Sequence, residues 1–351
     1  SGCISHRDEH NEIVRANTSI AITEKLLDIF NDGKHPYQAM FRGNNCRTGE
    51  LHAEKPVTFH REIWRNYKII TADSSPVIFN GKIFFGTDCK FLHALDAETG
   101  ETLWKFQTQK EVKSTPLVHN NMVYFGSFDC FLYAVDINTG RCAWNFHTND
   151  WIFSSPAFHK NVVYFGSMDG NVYGLSTLNG NLKWKFSTNE WIISSPAIHK
   201  DTVFIAGHDK NMYALDTDSG ELKWKYQTKG HVHSTPVIDS KKNVLFLADL
   251  KGNIYFFDCT TGKLIRTTST GKGFFSSPAF CDDKLYIGSK DRHIYCIDTL
   301  TGNPVWAFET GRAVRSSPTV CGNVVYAGSD DYNLYALDAA TGEKLWQFET
   351  T

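Results

Sequence analysis

Seven prolines set the frame of this chain. Pro76, Pro116, Pro156, Pro196, Pro236, Pro278 and Pro318 each follow a Ser-Ser or Ser-Thr pair, and the steps between them are 40, 40, 40, 40, 42 and 40 residues. A sustained period near 40 means one supersecondary unit copied in series, and it constrains the fold more than any local signal does.

Each unit holds four short runs. In the unit of Pro156 an apolar pair, Ala157-Phe158, comes first. A polar turn follows; elsewhere it reads Asn80-Gly81, Asn120-Asn121 or Gly322-Asn323, the chemistry of a tight hairpin. The second run is β-branched and aromatic (Val162 to Gly166), and the third is of the type Leu132-Tyr133-Ala134-Val135-Asp136. A turn then ends in glycine, at Gly100, Gly140, Gly180, Gly220, Gly262, Gly302 and Gly342. Four residues on, the fourth run carries Trp104, Trp144, Trp184, Trp224, Trp306 or Trp346, with Arg266 in the fifth unit. Four short strands make a small antiparallel sheet that cannot bury both faces by itself. Radial repetition lets each sheet cover its neighbour. The predicted fold is therefore all-β: a β-propeller of seven or eight four-stranded antiparallel blades over residues 38–351, preceded by an extension over residues 1–37.

The pattern S-S/T-P…Y-x-G-S-x-D-x-x-x-Y-A-x-D-x-x-T-G-x-x-x-W-x-F-x-T resembles the pyrroloquinoline-quinone-like repeat family. That family includes quinone-dependent alcohol dehydrogenases and an outer-membrane-assembly lipoprotein, and this chain resembles the lipoprotein type more. Residues Met40 to Gly49 also resemble the lead-in that many bacterial members carry before the first blade. The dehydrogenases hold their quinone with a vicinal cysteine pair, a stacking Trp, calcium carboxylates and a catalytic Asp. No two cysteines are adjacent here, and the calcium and catalytic carboxylates cannot be placed. The resemblance thus implies a non-enzymatic binding or scaffolding role with a protein or peptide partner and no cofactor. The alternative is a quinone-binding protein, with pyrroloquinoline quinone and calcium in the same place.

Composition narrows the partners. With 36 basic and 38 acidic residues the net charge is −2, which asks for neither nucleic acid nor an anionic membrane surface. No apolar run approaches the length of about 18 residues that would suggest a spanning helix. A monomeric propeller is expected.

In the N-terminal extension, Ile22, Leu26, Ile29 and Phe30 fall at helical spacing, which predicts a short amphipathic helix. Ser1-Gly2-Cys3 resembles the tail of a bacterial lipoprotein processing site, which would place the protein at a membrane through Cys3. The nine cysteines lie at scattered positions without a disulfide pattern and favour a reducing compartment such as the cytoplasm. Compartment stays open between these two. Blade count is open as well. Trp64 stands 12 residues before Pro76, as Trp104 stands before Pro116, so residues 38–70 read as a degraded eighth unit.

Residues that recur in every blade are structural. Asp129, Asp169, Asp209, Asp291 and Asp331 share one register, with Cys89 and Lys251 as substitutes. Asp96, Asp136, Asp216, Asp258, Asp298 and Asp338 share another, with Ser176 as substitute. Catalysis needs a carboxylate once, so these are expected to cap turns. His119, His159 and His199 also repeat and read as turn residues. The Trp series is suited to filling the wedge between blades.

Function is expected where the repeat breaks. Five and three residues before each motif proline stand Thr71 and Asp73, Glu111 and Lys113, Trp151 and Phe153, Trp191 and Ile193, His231 and His233, Gly273 and Phe275, and Ala313 and Arg315. These connections lead into the innermost strands and so ring one mouth of the central channel. The candidate binding residues are Asp73, Glu111, Lys113, Trp151, Phe153, Trp191, His231, His233, Phe275 and Arg315, with Phe274 beside them. They form an aromatic arc facing a charged one, suited to a peptide or a planar ligand. His231 and His233 alternate along the chain and would bind a metal only if Asp73 or another carboxylate joined them. No metal and no catalytic residue are assigned.

Overall fold

The computed structural model describes residues 74–350, together with Ala21–Ile22, Asn44, residues 46–48, Glu50–Leu51 and Trp64–Arg65. Among these, seven four-stranded antiparallel sheets follow one another as the blades of a β-propeller. Blades 1 to 7 span residues 77–107, 117–147, 157–187, 197–227, 237–269, 279–309 and 319–349. Within each blade the strands lie side by side in chain order, strand 1 beside the channel and strand 4 at the rim.

Six apolar clusters hold the blades together, one at each boundary between consecutive blades from 1 to 7. In the cluster between blades 3 and 4, for instance, Tyr164 and Val172 meet Val203, Ile205 and Tyr213. Period-2 alternation gives each sheet two apolar faces, and only a neighbour on each side can bury both.

The tryptophans complete these boundaries as expected. The Trp144 ring lies against Gly180 of the next blade, and its indole N–H donates to the Thr177 carbonyl at 3.1 Å. Gly180 sits at φ +71°, and a Cβ there would fall 2.6 Å from the Trp144 ring, so the glycine is required twice over. Trp104, Trp184, Trp224 and Trp306 make the same indole bond into the following blade. In blade 5, Arg266 replaces the indole with guanidinium bonds to Thr299 and Leu300 of blade 6.

The Ser-Ser/Thr-Pro motif does two jobs. Its first residue ties the blade to itself: Ser114 Oγ accepts from Gly126 N–H at 2.8 Å and donates to the Gly126 carbonyl at 2.9 Å. Its second residue ties blade to blade. The backbone N–H of each donates to the hydroxyl of the next, from Ser75 through Thr115, Ser155, Ser195, Thr235 and Ser277 to Ser317.

The turn aspartates behave as read. Asp136 Oδ1 accepts from Asn138 N–H, Thr139 N–H and Thr139 Oγ1. Asp129 accepts from Phe131 N–H, from the Tyr133 hydroxyl and from Gln109 N–H of the preceding connection. In blade 5 this role does not lapse at Lys251 but moves two residues back. Buried Asp249 accepts from Gly230 N–H, Asn253 N–H and the Tyr255 hydroxyl. The 42-residue step comes from a longer first hairpin in the same blade, where Asp239 pairs with Val244.

Residues 38–70 do not make an eighth four-stranded blade among the described residues. Instead Glu50–Leu51 runs parallel to the inner strand of blade 7, pairing with Val320 and Cys321. Inner strands of blades 5 and 6 donate to the same lead-in, Ile238 N–H to Cys46 O and Phe280 N–H to Thr48 O. Arg47 is fully buried, and its guanidinium donates to the Pro196 and Pro156 carbonyls at 2.9 Å each and to Ser155 O at 3.4 Å. The lead-in therefore lies along the channel, where the inner strands would otherwise leave backbone donors and acceptors unpaired. The expected N-terminal helix is corrected at its start: Ala21–Ile22 is a strand that pairs antiparallel with Trp64–Arg65. The rest of that helix, residues 23–30, lies outside the described residues, as does Cys3. No described helix is long and apolar enough to cross a membrane.

Candidate functional site at the channel mouth

In every blade, strand 1 leaves the connection from the previous blade, and the turn between strands 2 and 3 returns to the same face. That turn therefore stands beside the connection. Phe128 N–H donates to Glu111 O, and Met168 to Trp151, His208 to Trp191, Leu250 to His231, Lys290 to Gly273 and Asp330 to Ala313 repeat the bond. Two variable registers are thus zipped together around one mouth. The connections are visible in the sequence as variable positions; the structure adds the turns, which carry Asp88, Phe128, Met168, His208, Leu250, Lys290 and Asp330. A signal was available, since one variable position sits between a nearly constant Gly-Ser/Thr pair and the turn aspartate.

The two registers interleave into an arc of two stacked groups, one over blades 2 and 3 and one from blade 4 to blade 7. Phe128 stacks on Trp151, ring centroids 4.6 Å apart and 12° between planes, and approaches Phe153 at 5.9 Å. Lys110 stands over the Trp151 ring at 5.5 Å. In blade 4, Trp191 stacks on His208 at 5.2 Å. His208 in turn stacks on His231 at 3.9 Å and meets His233 at 5.5 Å. His233 meets Phe275 at 5.3 Å, and both Lys290 and Arg315 stand over the Phe275 face, at 4.5 and 5.6 Å. Such contacts hold flat side chains in place while leaving faces and edges for a ligand.

An ion pair bounds the arc at each end. Lys113 is buried to 7% exposure, lies over Phe128 and reaches Asp88 at 3.4 Å. Arg315 Nε meets Asp330 Oδ2 at 2.9 Å. Burial nevertheless raises the Asp330 carboxyl above the ordinary carboxylate range, with Arg315 opposing the shift.

Of the predicted residues, Lys113, Trp151, Phe153, Trp191, His231, His233, Phe275 and Arg315 share this arc, and Glu111 joins it through its backbone bond to Phe128. Asp73 lies outside the described residues. Phe274 does not face the mouth. It is fully buried in the apolar cluster between blades 5 and 6, in the register of Val112, Ile152, Ile192, Val232 and Val314. His119, His159 and His199 end first strands and so stand on the opposite face, where His119 stacks on Phe158 at 3.5 Å. Of the eight described cysteines, Cys259, Cys281, Cys296 and Cys321 are buried, while Cys89 and Cys142 are exposed.

Fold and mouth together define a class: a β-propeller of roughly 40-residue repeats with a variable ring at one end of its channel. Residues 57–190, 149–274 and 250–351 match the family described as outer membrane protein assembly factor BamB, and the chain belongs to that family. The crystal structure of BamB from Moraxella catarrhalis is similar, with a TM-score of 0.70 and 19% identity over 80% of this chain and 87% of that one. The quinohemoprotein alcohol dehydrogenase from Comamonas testosteroni gives 0.80 and 16% over 93% and 75%. A europium-containing methanol dehydrogenase gives 0.77 and 15% over 93% and 87%. At these identities the likeness is one of fold. Among curated proteins the sequence comparison finds no match.

Of the carboxylates at the described mouth, Asp88 faces Lys113, Glu190 faces His208 and Asp330 faces Arg315. The ligand atoms that do converge are those of Glu190, His208 and His231.

Proposed function

We propose that the protein is a binding scaffold that recruits a protein partner at this mouth, taking an extended segment with apolar or aromatic side chains. The carrying observation is the arc from Phe128 to Phe275, half-exposed at Trp151, Phe153, Trp191 and Phe275 and bounded by the Lys113–Asp88 and Arg315–Asp330 pairs. Aromatic and arginine side chains on a rigid ring are what binding hot spots are made of. Their positions cost the partner little ordering, because stacked neighbours and zipped backbones already fix them. Membership of the assembly-factor family supports the same reading.

A photoreactive amino acid at Phe153, compared with one at exposed Leu222 on the rim, tests it in cells that make the protein. A discrete adduct from position 153 alone, lost with Trp151→Ala and with Arg315→Ala, is expected. Equal adducts from both positions, or none, would overturn the reading. Saturable quenching of tryptophan fluorescence by pyrroloquinoline quinone, lost in Trp151→Ala, would instead assign the mouth to a small molecule.

A further inference from the structure

Three groups at the mouth combine chemistry that the repeat does not demand. Glu190 lies on the connection into blade 4, His208 on the turn between strands 2 and 3 of blade 4, and His231 on the connection into blade 5. Other blades place Lys110, Asp150, Gly230, Lys272 or Arg312 in the register of Glu190. They place Asp88, Phe128, Met168, Leu250, Lys290 or Asp330 in that of His208, and Glu111, Trp151, Trp191, Gly273 or Ala313 in that of His231. Each imidazole is the only one in its register, yet the two meet across the boundary between blades 4 and 5.

The geometry points to a divalent transition-metal site formed by Glu190, His208 and His231. One ligand atom from each lies within 4.8 Å of the others. Ligands about 2.0–2.2 Å from a tetrahedral zinc ion stand roughly 3.4 Å apart. Small rotations of exposed Glu190 and of the two half-buried imidazoles close the difference, tilting the rings out of their stack. The hydrogen bonds favour this. His231 Nδ1 bonds to the His208 backbone carbonyl, and a carbonyl only accepts, so the neutral ring that a metal would bind carries its proton on Nδ1 and its lone pair on Nε2. A backbone carbonyl on the far nitrogen is how metal-binding imidazoles are commonly held. His208 Nδ1 faces Glu190 Oε2 at 3.2 Å. The ion would lie between these two groups, with the single ring proton of His208 on its other nitrogen.

Two imidazoles and one carboxylate suit zinc and its neighbours better than calcium or magnesium. Three protein ligands leave one position open, and here it faces the mouth. The ion would staple blade 4 to blade 5 and offer a fourth bond to a nitrogen or carboxylate ligand. This site does not depend on the partner reading, because binding of the metal alone reports on it.

The experiment is a titration of the whole chain with Co2+, followed by ligand-field absorption, and with Zn2+, followed by calorimetry. One ion per chain is expected, with the absorption intensity of a four- or five-coordinate site. His208→Ala, His231→Ala and Glu190→Gln are each expected to weaken it at least tenfold, with the circular dichroism unchanged. His199→Ala, on the opposite face, is expected to bind like the parent. The proposal is overturned if the parent binds no stoichiometric ion, or if the three variants bind as tightly as His199→Ala does, which would assign the ion to other histidines of the chain.

Discussion

Ser155 donates its backbone N–H to the Ser195 hydroxyl oxygen at 2.9 Å, crossing one blade boundary and 40 residues of sequence. The bond recurs from Ser75 to Ser317, so the second residue of each motif is acceptor for the blade before and donor to the blade after. Ser155→Ala leaves the buried Thr115 N–H without its acceptor, at 2.9 Å in the parent. A loss of about 1–3 kcal/mol is expected, read as a lower urea midpoint at constant slope. Ser155→Thr keeps the hydroxyl, as Thr115 and Thr235 do naturally, and should stay within about 1 kcal/mol of the parent.

Trp184 and Gly220 form one interlock. The ring is buried, its N–H donates to Thr217 O at 2.9 Å, and a Cβ on Gly220 at φ +73° would stand 2.6 Å from it. Trp184→Ala should cost about 3–5 kcal/mol. Gly220→Ala should cost about 1–3 kcal/mol through the clash and the left-handed backbone. In the double variant the clash disappears, so the two losses should sum to less than their separate values in a double-mutant cycle.

Arg47 is a buried cation held by carbonyl oxygens of blades 3 and 4. Arg47→Ala strips donors from the Pro156 and Pro196 carbonyls and should lower stability by about 2–3 kcal/mol. Arg47→Lys should restore less than half of that, because an ammonium cannot span both carbonyls as a planar fork does. Thermal melts of the three proteins at one concentration check this order.

His93 supplies a pH dependence. Its ring stacks on Phe85 at 5.3 Å, and burial, then nearby Lys105, hold its pKa down to about 4, from 6.5 for an ordinary imidazole. Between those values the unfolded chain binds a proton that the folded chain does not. This residue's contribution is therefore fully present above pH 6.5 and is lost as pH falls towards 4. His93→Phe removes the titration, and its urea midpoint should fall less steeply over that window than that of the parent.

Much of this was legible because a repeat is read seven times. The prolines, glycines and tryptophans at constant register gave strands, turns and blade order, and a deviation such as Arg266 stood out at once. The connections that ring the mouth could be found because a residue type that changes from blade to blade is not needed by the blade. Phe274 was misplaced because two adjacent aromatics look alike in sequence, while the strand's alternation sends one inward and the other towards the mouth. Lys251 reads as a lost cap because it stands in the register of the turn aspartates, and Asp249 restores the bonds from two residues away.

The chain by itself determined the blade, its repetition and the position of its variable rim, because these depend on local hydrogen bonding and on alternation along each strand. Only the tertiary structure decided what stands next to what. Curling seven sheets into a ring brings Glu190, His208 and His231 together from three separate connections and turns, and sets Phe128 on Trp151. The same curvature leaves a channel whose inner strands have unpaired backbone groups. The lead-in with Arg47 meets that need by lying along the channel, where its spacing in the sequence had suggested another blade.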